Sequence, residues 1–244
     1  MLELPSLRAE TRYGMPAADQ IMFNRYFVIG YSYYFRQAKW ALEIVDPILW
    51  TDPEDVVERS ENFRPDYRVP PMFRAELEDF RGSGYGRGHL VASANQRDLE
   101  IQNSETFLLS NMSPQHPDLN RKIWRKLEQE VRKLNERENV LETYVICGPL
   151  FNFDRPVDSI GGSDDENDVS LPVPHAYFKS ILVEDNRGNL HMWSFSIRNE
   201  GSDKPLEDFL VPTTRIEQWS GLLLWDRLVG KKIEREKSKV RRMW

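Results

Sequence analysis

GSGYGRGHLVASANQ, residues 82–96, places four glycines, one arginine and one histidine in a span with neither a sustained helical nor an alternating apolar period. Glycines at every second position let a backbone turn sharply or come close to a bound group. The stretch therefore reads as a glycine-rich turn that carries His89, two residues after Arg87. An unperturbed imidazole titrates near pH 6.5 and can take a proton from water at neutral pH. Taken alone, such a histidine is more often a hydrogen-bonded turn residue than a catalyst. What separates these readings lies outside the stretch.

Downstream, Leu119, Ile123, Leu127, Val131 and Leu134 recur at helical spacing within residues 118–137, behind Asp118, a good N-cap. One position round from that apolar stripe, Asn120, Trp124, Glu128 and Arg132 follow one another every four residues along its rim. Spaced four apart, with about 40° of drift per step, an amide, a carboxylate and a guanidinium can still face one site. The plain alternative is a cap at Asn120 and a surface ion pair between Glu128 and Arg132, worth about 0.3 kcal/mol. Arg121, Lys122, Arg125, Lys126 and Lys133 give the other faces a positive bias that could draw a phosphate backbone or could simply be solvated.

The remainder sets the frame. Residues 26–35 (YFVIGYSYYF) and 39–46 (KWALEIVD) predict an antiparallel hairpin, and residues 175–185 and 189–198 predict a second one around Asn186-Arg187-Gly188. TFLLS at 106–110 and YVICGPLF at 144–151 read as further strands, the latter burying the single cysteine, Cys147. One cysteine excludes an internal disulfide and a cysteine-based zinc cage. Residues 46–84 read as irregular connection with a short helical hint at 72–80, and residues 158–170 (DSIGGSDDENDVS) as a mobile acidic surface loop. The 244 residues, 40% hydrophobic and 30% charged, contain no apolar run of membrane-spanning length, and the N-terminus does not read as a secretory signal. A net charge of −6 argues against a nucleic-acid coat protein but allows local positive charge at a site. His175 and His191 fall in predicted strands and His116 precedes a proline, leaving His89 as the candidate base.

Arg87-Gly88-His89, TFLLSNMSPQHPDLN at 106–120, Trp124 and LEQEVRKL at 127–134 together resemble the DNA/RNA non-specific endonuclease family. CGPLF at 147–151, VPHAYFKSILVE at 173–184 and LEDFLVPTTRIEQWSGLLL at 206–224 extend the similarity over about residues 25–225. The resemblance implies an α+β fold: a central, mostly antiparallel sheet flanked by helices, with a ββα-metal (His-Me finger) active site. It implies residues 1–24 as an N-terminal extension, 25–225 as the nuclease domain and 226–244 as a frayed basic C-terminal tail. By the same resemblance His89 is the general base and Asn120 the direct ligand of a magnesium ion, with manganese as an alternative. Glu128 holds the ion through water, Arg132 faces phosphate, Arg87 is the motif arginine, and Arg59 of ERSENFRPD stabilises the transition state.

The partners so implied are DNA and RNA, cut to leave 5′-phosphates, with a homodimer and a protein inhibitor compatible with the family and no membrane partner. One position departs: the family motif reads Asp-Arg-Gly-His and this chain has Gly86. A nuclease fold that binds nucleic acid without efficient cleavage, and a protein-interaction module using the basic helix and the C-terminal EREKSKVRRMW, are the rival readings.

Overall fold

The computed structural model describes residues 8–45, 56–162 and 170–244. Runs rich in β-branched and aromatic residues form a seven-stranded sheet, because such side chains pack well on a pleated surface. Its strands are β1 (Gln20–Phe23), β2 (Phe27–Ser32), β3 (Gln37–Val45), β6 (Val140–Leu150), β9 (Ala176–Asp185), β10 (Leu190–Arg198) and β11 (Leu210–Val211). They lie side by side in that order, every neighbouring pair antiparallel. Both predicted hairpins are present, the second closed by Gly188 and by the Asp185 carboxylate accepting from the Arg187 and Asn189 amides.

Alternation along β3 divides two cores. Trp40 and Leu42 join Tyr144, Phe178, Leu182 and Trp225 on one face, while Ala41 and Val45 join Val145, Cys147, Ile181 and Phe195 on the other. The second face receives the long helix, whose Leu119, Ile123, Leu127, Val131 and Leu134 are all buried there. Between β3 and that helix the chain makes a two-stranded ribbon of β4 (Gly86–His89) and β5 (Met112–Gln115), with the short helix α1 (Glu100–Glu105) between them. The ribbon runs into an i→i+5 helical segment, Leu119–Trp124, and then into α2 (Arg125–Asn135), so the unit reads β, β, α. A small hairpin, β7 (Ser159–Gly161) with β8 (Ser170–Pro172), and two helices, α3 (Thr213–Ser220) and α4 (Lys231–Lys237), complete the described elements.

Several expectations are corrected. Residues 86–89 are a strand, not a turn; only Gly82 and Gly84 make the turn, at φ +67° and +81°. Gly88 is needed for space, since a Cβ there would lie 2.1 Å from the Gln115 side chain of the paired strand. TFLLS is not a strand, because Asn111 and Thr106 take up local backbone carbonyls through their side chains and curl the segment, and the strand begins at Met112. Asp118 lies inside the helix and makes no cap, pairing instead with Lys122 at 2.9 Å. Trp124 is buried rather than on the rim, its ring edge-on to Tyr177. The helical hint at 72–80 resolves into two 3₁₀ turns. The ends of the acidic loop pair as β7 and β8, and its residues 163–169 lie outside the described residues, as do 46–55 of the irregular connection.

Segments outside residues 25–225 also pack on the sheet and on α2. β1 belongs to the sheet, and Tyr13 donates to Glu184 at 2.5 Å, tying the N-terminal segment to β9. The C-terminal residues are not a frayed tail. Buried Glu236 accepts from Arg241, Trp193 Nε1 donates to the Arg242 carbonyl, and Trp244 Nε1 donates to the Glu130 carbonyl of α2. Trp244 meets Trp193 and Phe195 edge-on. Lys237, Lys239 and Arg241 find carboxylates in Glu217 and Glu236, while the half-buried indole of Trp244 packs on two rings. Trp244→Ala should therefore destabilise the protein by about 1–2 kcal/mol, read as a lower urea midpoint at unchanged slope.

Candidate active site

The ribbon and the helix converge on an open cleft. Of the side chains singled out from sequence, Arg59, Arg87, His89, Asn120, Glu128 and Arg132 all line it. The other histidines lie elsewhere: His175 bridges Asn152 and Pro156, His191 meets Asp185, and His116 accepts from the Asp118 amide. Eight residues of ideal α-helix overshoot two turns by about 80°. The wider i→i+5 segment uses more residues per revolution and takes back part of that overshoot, which helps bring Asn120 and Glu128 onto one wall.

His89 sits in an aromatic niche, edge-on to Phe107 at 5.0 Å and to Phe63 at 5.8 Å. Those same rings seat the arginines: Arg87 lies 4.1 Å over Phe63 and Arg59 4.9 Å over Phe107. The buried Nε2 of His89 has no hydrogen-bond partner among the described residues. An uncompensated buried nitrogen is costly and marks a group held ready for a bound partner. Burial first, and then the charges of Arg59 and Arg87, push the imidazole pKa down to about 3, so the ring is neutral and able to accept a proton.

Glu128 is held above the usual carboxylate range by burial, opposed in turn by the positive charges of Lys179, Arg132 and Arg59. Arg132 is lowered by its burial, against the pull of Glu128 and Glu43. Arg121 and Arg125 also face the cleft, so five arginines stand against one glutamate along its walls. Part of the basic helix face therefore borders the cleft rather than facing open solvent alone. Such a field favours a polyanion despite the overall charge of −6.

The donor set suits a hard cation. Asn120 and Glu128 offer oxygen from positions two turns apart on one helix that both line the cleft, whereas no group of three or more His, Cys, Asp or Glu able to hold an ion occurs among the described residues. Magnesium dehydrates reluctantly and keeps several waters, so this sparse pair fits it better than a closed zinc cage would. Gly86 is compatible with a side chain, for its φ is not positive and a Cβ would lie 3.5 Å from Asn120 Nδ2. Nothing in the local backbone demands glycine there.

Sequence reading missed the supporting layer. Phe63 and Phe107 were hidden in runs read only for their arginine and their apolar character. Ser93 accepts from Arg59 at 2.7 Å and Asn95 from Arg132 at 3.1 Å, both from a 3₁₀ turn at the end of the histidine stretch. The available signal was the lone charge inside each of two apolar runs, Glu43 in WALEIV at 40–45 and Lys179 in YFKSILV at 177–183. A lone charge on a buried strand needs a polar partner. Cys147 is a buried thiol, as expected; burial pushes it up to about 12, and it donates to the carbonyl of Leu90, next to His89.

Residues 5–230 match the DNA/RNA non-specific endonuclease family. Human mitochondrial endonuclease G is 35% identical over 227 residues, covering 90% of this chain and 74% of that protein. Mitochondrial endonuclease G of Caenorhabditis elegans is 31% identical over 243 residues, covering 95% and 77%. Nuclease C1 of Cunninghamella echinulata var. echinulata is 31% identical over 235 residues, covering 92% and 90%. A chain of the solved EndoG/EndoGI complex superposes with a TM-score of 0.82 at 30% identity, covering 94% of this chain and 95% of that one. With a matching sheet, a β, β, α unit and a histidine facing a helix asparagine across a basic cleft, the chain belongs to the DNA/RNA non-specific endonuclease family.

Proposed function

We propose that the protein is a magnesium-dependent endonuclease that hydrolyses phosphodiester bonds of DNA and RNA with little sequence preference and leaves 5′-phosphate ends. The observation that carries this reading is the convergence of the neutral His89 imidazole, the Asn120 amide and three arginines on one cleft. The neutral His89 imidazole accepts the proton of the attacking water. Arg87 and Arg59, flat on their phenyl rings, grip the phosphate from the ribbon side, and Arg132 grips it from the helix. Asn120 and Glu128 would hold the metal, which supplies electrostatic relief of the charge that develops on the departing 3′ oxygen. General base catalysis contributes about 10²–10⁴-fold, so the guanidiniums and the ion carry the larger electrostatic share.

Guanidiniums read phosphate rather than base edges, which supports cleavage without sequence selection, and none of the roles above needs or forbids a 2′-hydroxyl. The match to a chain of a complex concerned with EndoG inhibition supports a protein inhibitor as a partner class, one that would meet the basic cleft with acidic groups. The decisive experiment digests supercoiled plasmid and a single-stranded RNA with magnesium, with and without excess chelator. Degradation of both, 5′-phosphate termini and loss of cleavage in chelator are the expected results. Undiminished cutting in chelator would overturn the metal dependence, and protein that binds but never cleaves would overturn the reading in favour of a binding-only nuclease fold.

A further inference from the structure

Beneath the cleft the sheet carries a carboxylate that the mechanism above leaves unused. Glu43 on β3 is 2% exposed, on a face shared with Ala41, Val45, Val145 and Cys147. Its Oε1 accepts from Asn95 Nδ2 at 3.0 Å and its Oε2 from Gln96 Nε2 at 3.2 Å. Both Glu43 oxygens accept, so the amino group of Asn95 faces Glu43 and its carbonyl faces away. That carbonyl, Oδ1, accepts from Arg132 Nη1 at 3.1 Å. Glu43 thus fixes the sense of an amide whose far end fixes a guanidinium in the cleft.

The turn bearing Asn95 is itself held rigidly. Fully buried Asn103 donates to the carbonyls of Ser93 and Gln96 at 2.9 and 2.8 Å, and its Oδ1 accepts from the amide of Ser60, next to Arg59. A buried carboxylate is expensive unless its hydrogen bonds are met, and an apolar side chain at the same place would stabilise the sheet without that cost. Its presence is explained by what it orients.

We propose that Asn95, oriented by Glu43, is a positioning residue that sets the guanidinium of Arg132 against the scissile phosphate. The inference rests on the nuclease reading for its substrate, and its test is arranged so that the two can fail separately. Cleavage of duplex DNA is measured for the wild type, Asn95→Ala, Arg132→Ala and the double variant. Asn95→Ala is expected to lower kcat/KM about tenfold, mainly through KM, because one hydrogen bond to a charged group is lost. In the Arg132→Ala background the same substitution should change kcat/KM by less than about twofold, since the group it positions is gone. An equal loss in both backgrounds would show that Asn95 only supports the fold and would overturn the proposal.

Should the wild type fail to cleave, the nuclease reading falls and the same cycle is read in binding of a duplex oligonucleotide, where Asn95→Ala must weaken affinity only while Arg132 is present. Should Asn95→Ala fold poorly, Glu43→Gln replaces it. The new amide offers one acceptor where the carboxylate offered two, so Asn95 or Gln96 loses its partner. The effect expected is smaller, and it too must vanish without Arg132.

Discussion

His89→Ala should lower kcat by about 10²–10⁴-fold while duplex binding stays nearly unchanged, because the imidazole handles a proton and the arginines handle the phosphate. The pH dependence of the wild type carries a sharper form of the same expectation. In the free protein burial and the fields of Arg59 and Arg87 hold the His89 pKa down at about 3. The active form is the neutral ring, which a depressed pKa keeps populated until the solution becomes strongly acid. The acid limb of kcat/KM, which reports the free enzyme, should therefore lie well below 6.5.

Bound substrate changes the balance. It leaves the ring buried but sets a phosphate charge against both arginines, and a unit charge at about 4 Å is worth about 4 kcal/mol near a protein surface, or about three pKa units. The acid limb of kcat, which reports the complex, should then stand at higher pH than that of kcat/KM. Rates measured from about pH 4 to about pH 8, with circular dichroism to follow folding, decide the matter. Coincident limbs near 6.5 would mean that the guanidiniums do not control the base.

How much of this was legible beforehand differs by layer. The two large hairpins and the apolar stripe of the long helix follow from short-range periodicity, and they stand where the sequence places them. The six candidate side chains were found by their types and spacing together with the family resemblance, and the fold brings all six to one cleft. Less was visible where tertiary contact overrides local pattern. A strand of alternating glycines looks like a turn until Gln115 is seen to occupy the space that a side chain at Gly88 would need. A run such as TFLLS looks like a strand until Asn111 is seen to bond Val91 and Thr106. The i→i+5 segment leaves no periodic trace, since the stripe of leucines, isoleucine and valine is buried either way. The basic C-terminus reads as solvated until its carboxylate partner, Glu236, and its half-buried indole, Trp244, are placed. In each instance the deciding partner comes from a different element or from an unremarkable polar residue.

Lys179→Met should destabilise the fold by about 3–5 kcal/mol near neutral pH, and by much less in acid. Lys179 is 2% exposed on β9, in register with Cys147 of β6, and its ammonium lies 4.7 Å from the centre of the Trp124 ring. Methionine is of similar length and fills irregular space, so a cavity is not the reason for the loss. Charge is. Lys179 is the foremost influence opposing burial at both Glu43 and Glu128, which otherwise face one another as like charges.

Even with that help, burial raises Glu43 from the ordinary 4.5 to about 7. A carboxyl group with a raised folded pKa binds more protons folded than unfolded, so Glu43 by itself takes stability away as pH rises from about 4.5 to about 7, against the opposite contribution of His89, whose depressed pKa makes the unfolded state bind more protons up to about 6.5. Without the ammonium both carboxyl groups move higher still, the window extends upward, and the penalty of the substitution grows with pH. Urea melts of wild type and variant at about pH 5 and about pH 8 give the comparison. Equal losses at the two pH values would assign the effect to packing. Adding Glu43→Gln to Lys179→Met should recover part of the loss at the higher pH, because removing a buried charge along with its counter-charge costs less than stranding one of them.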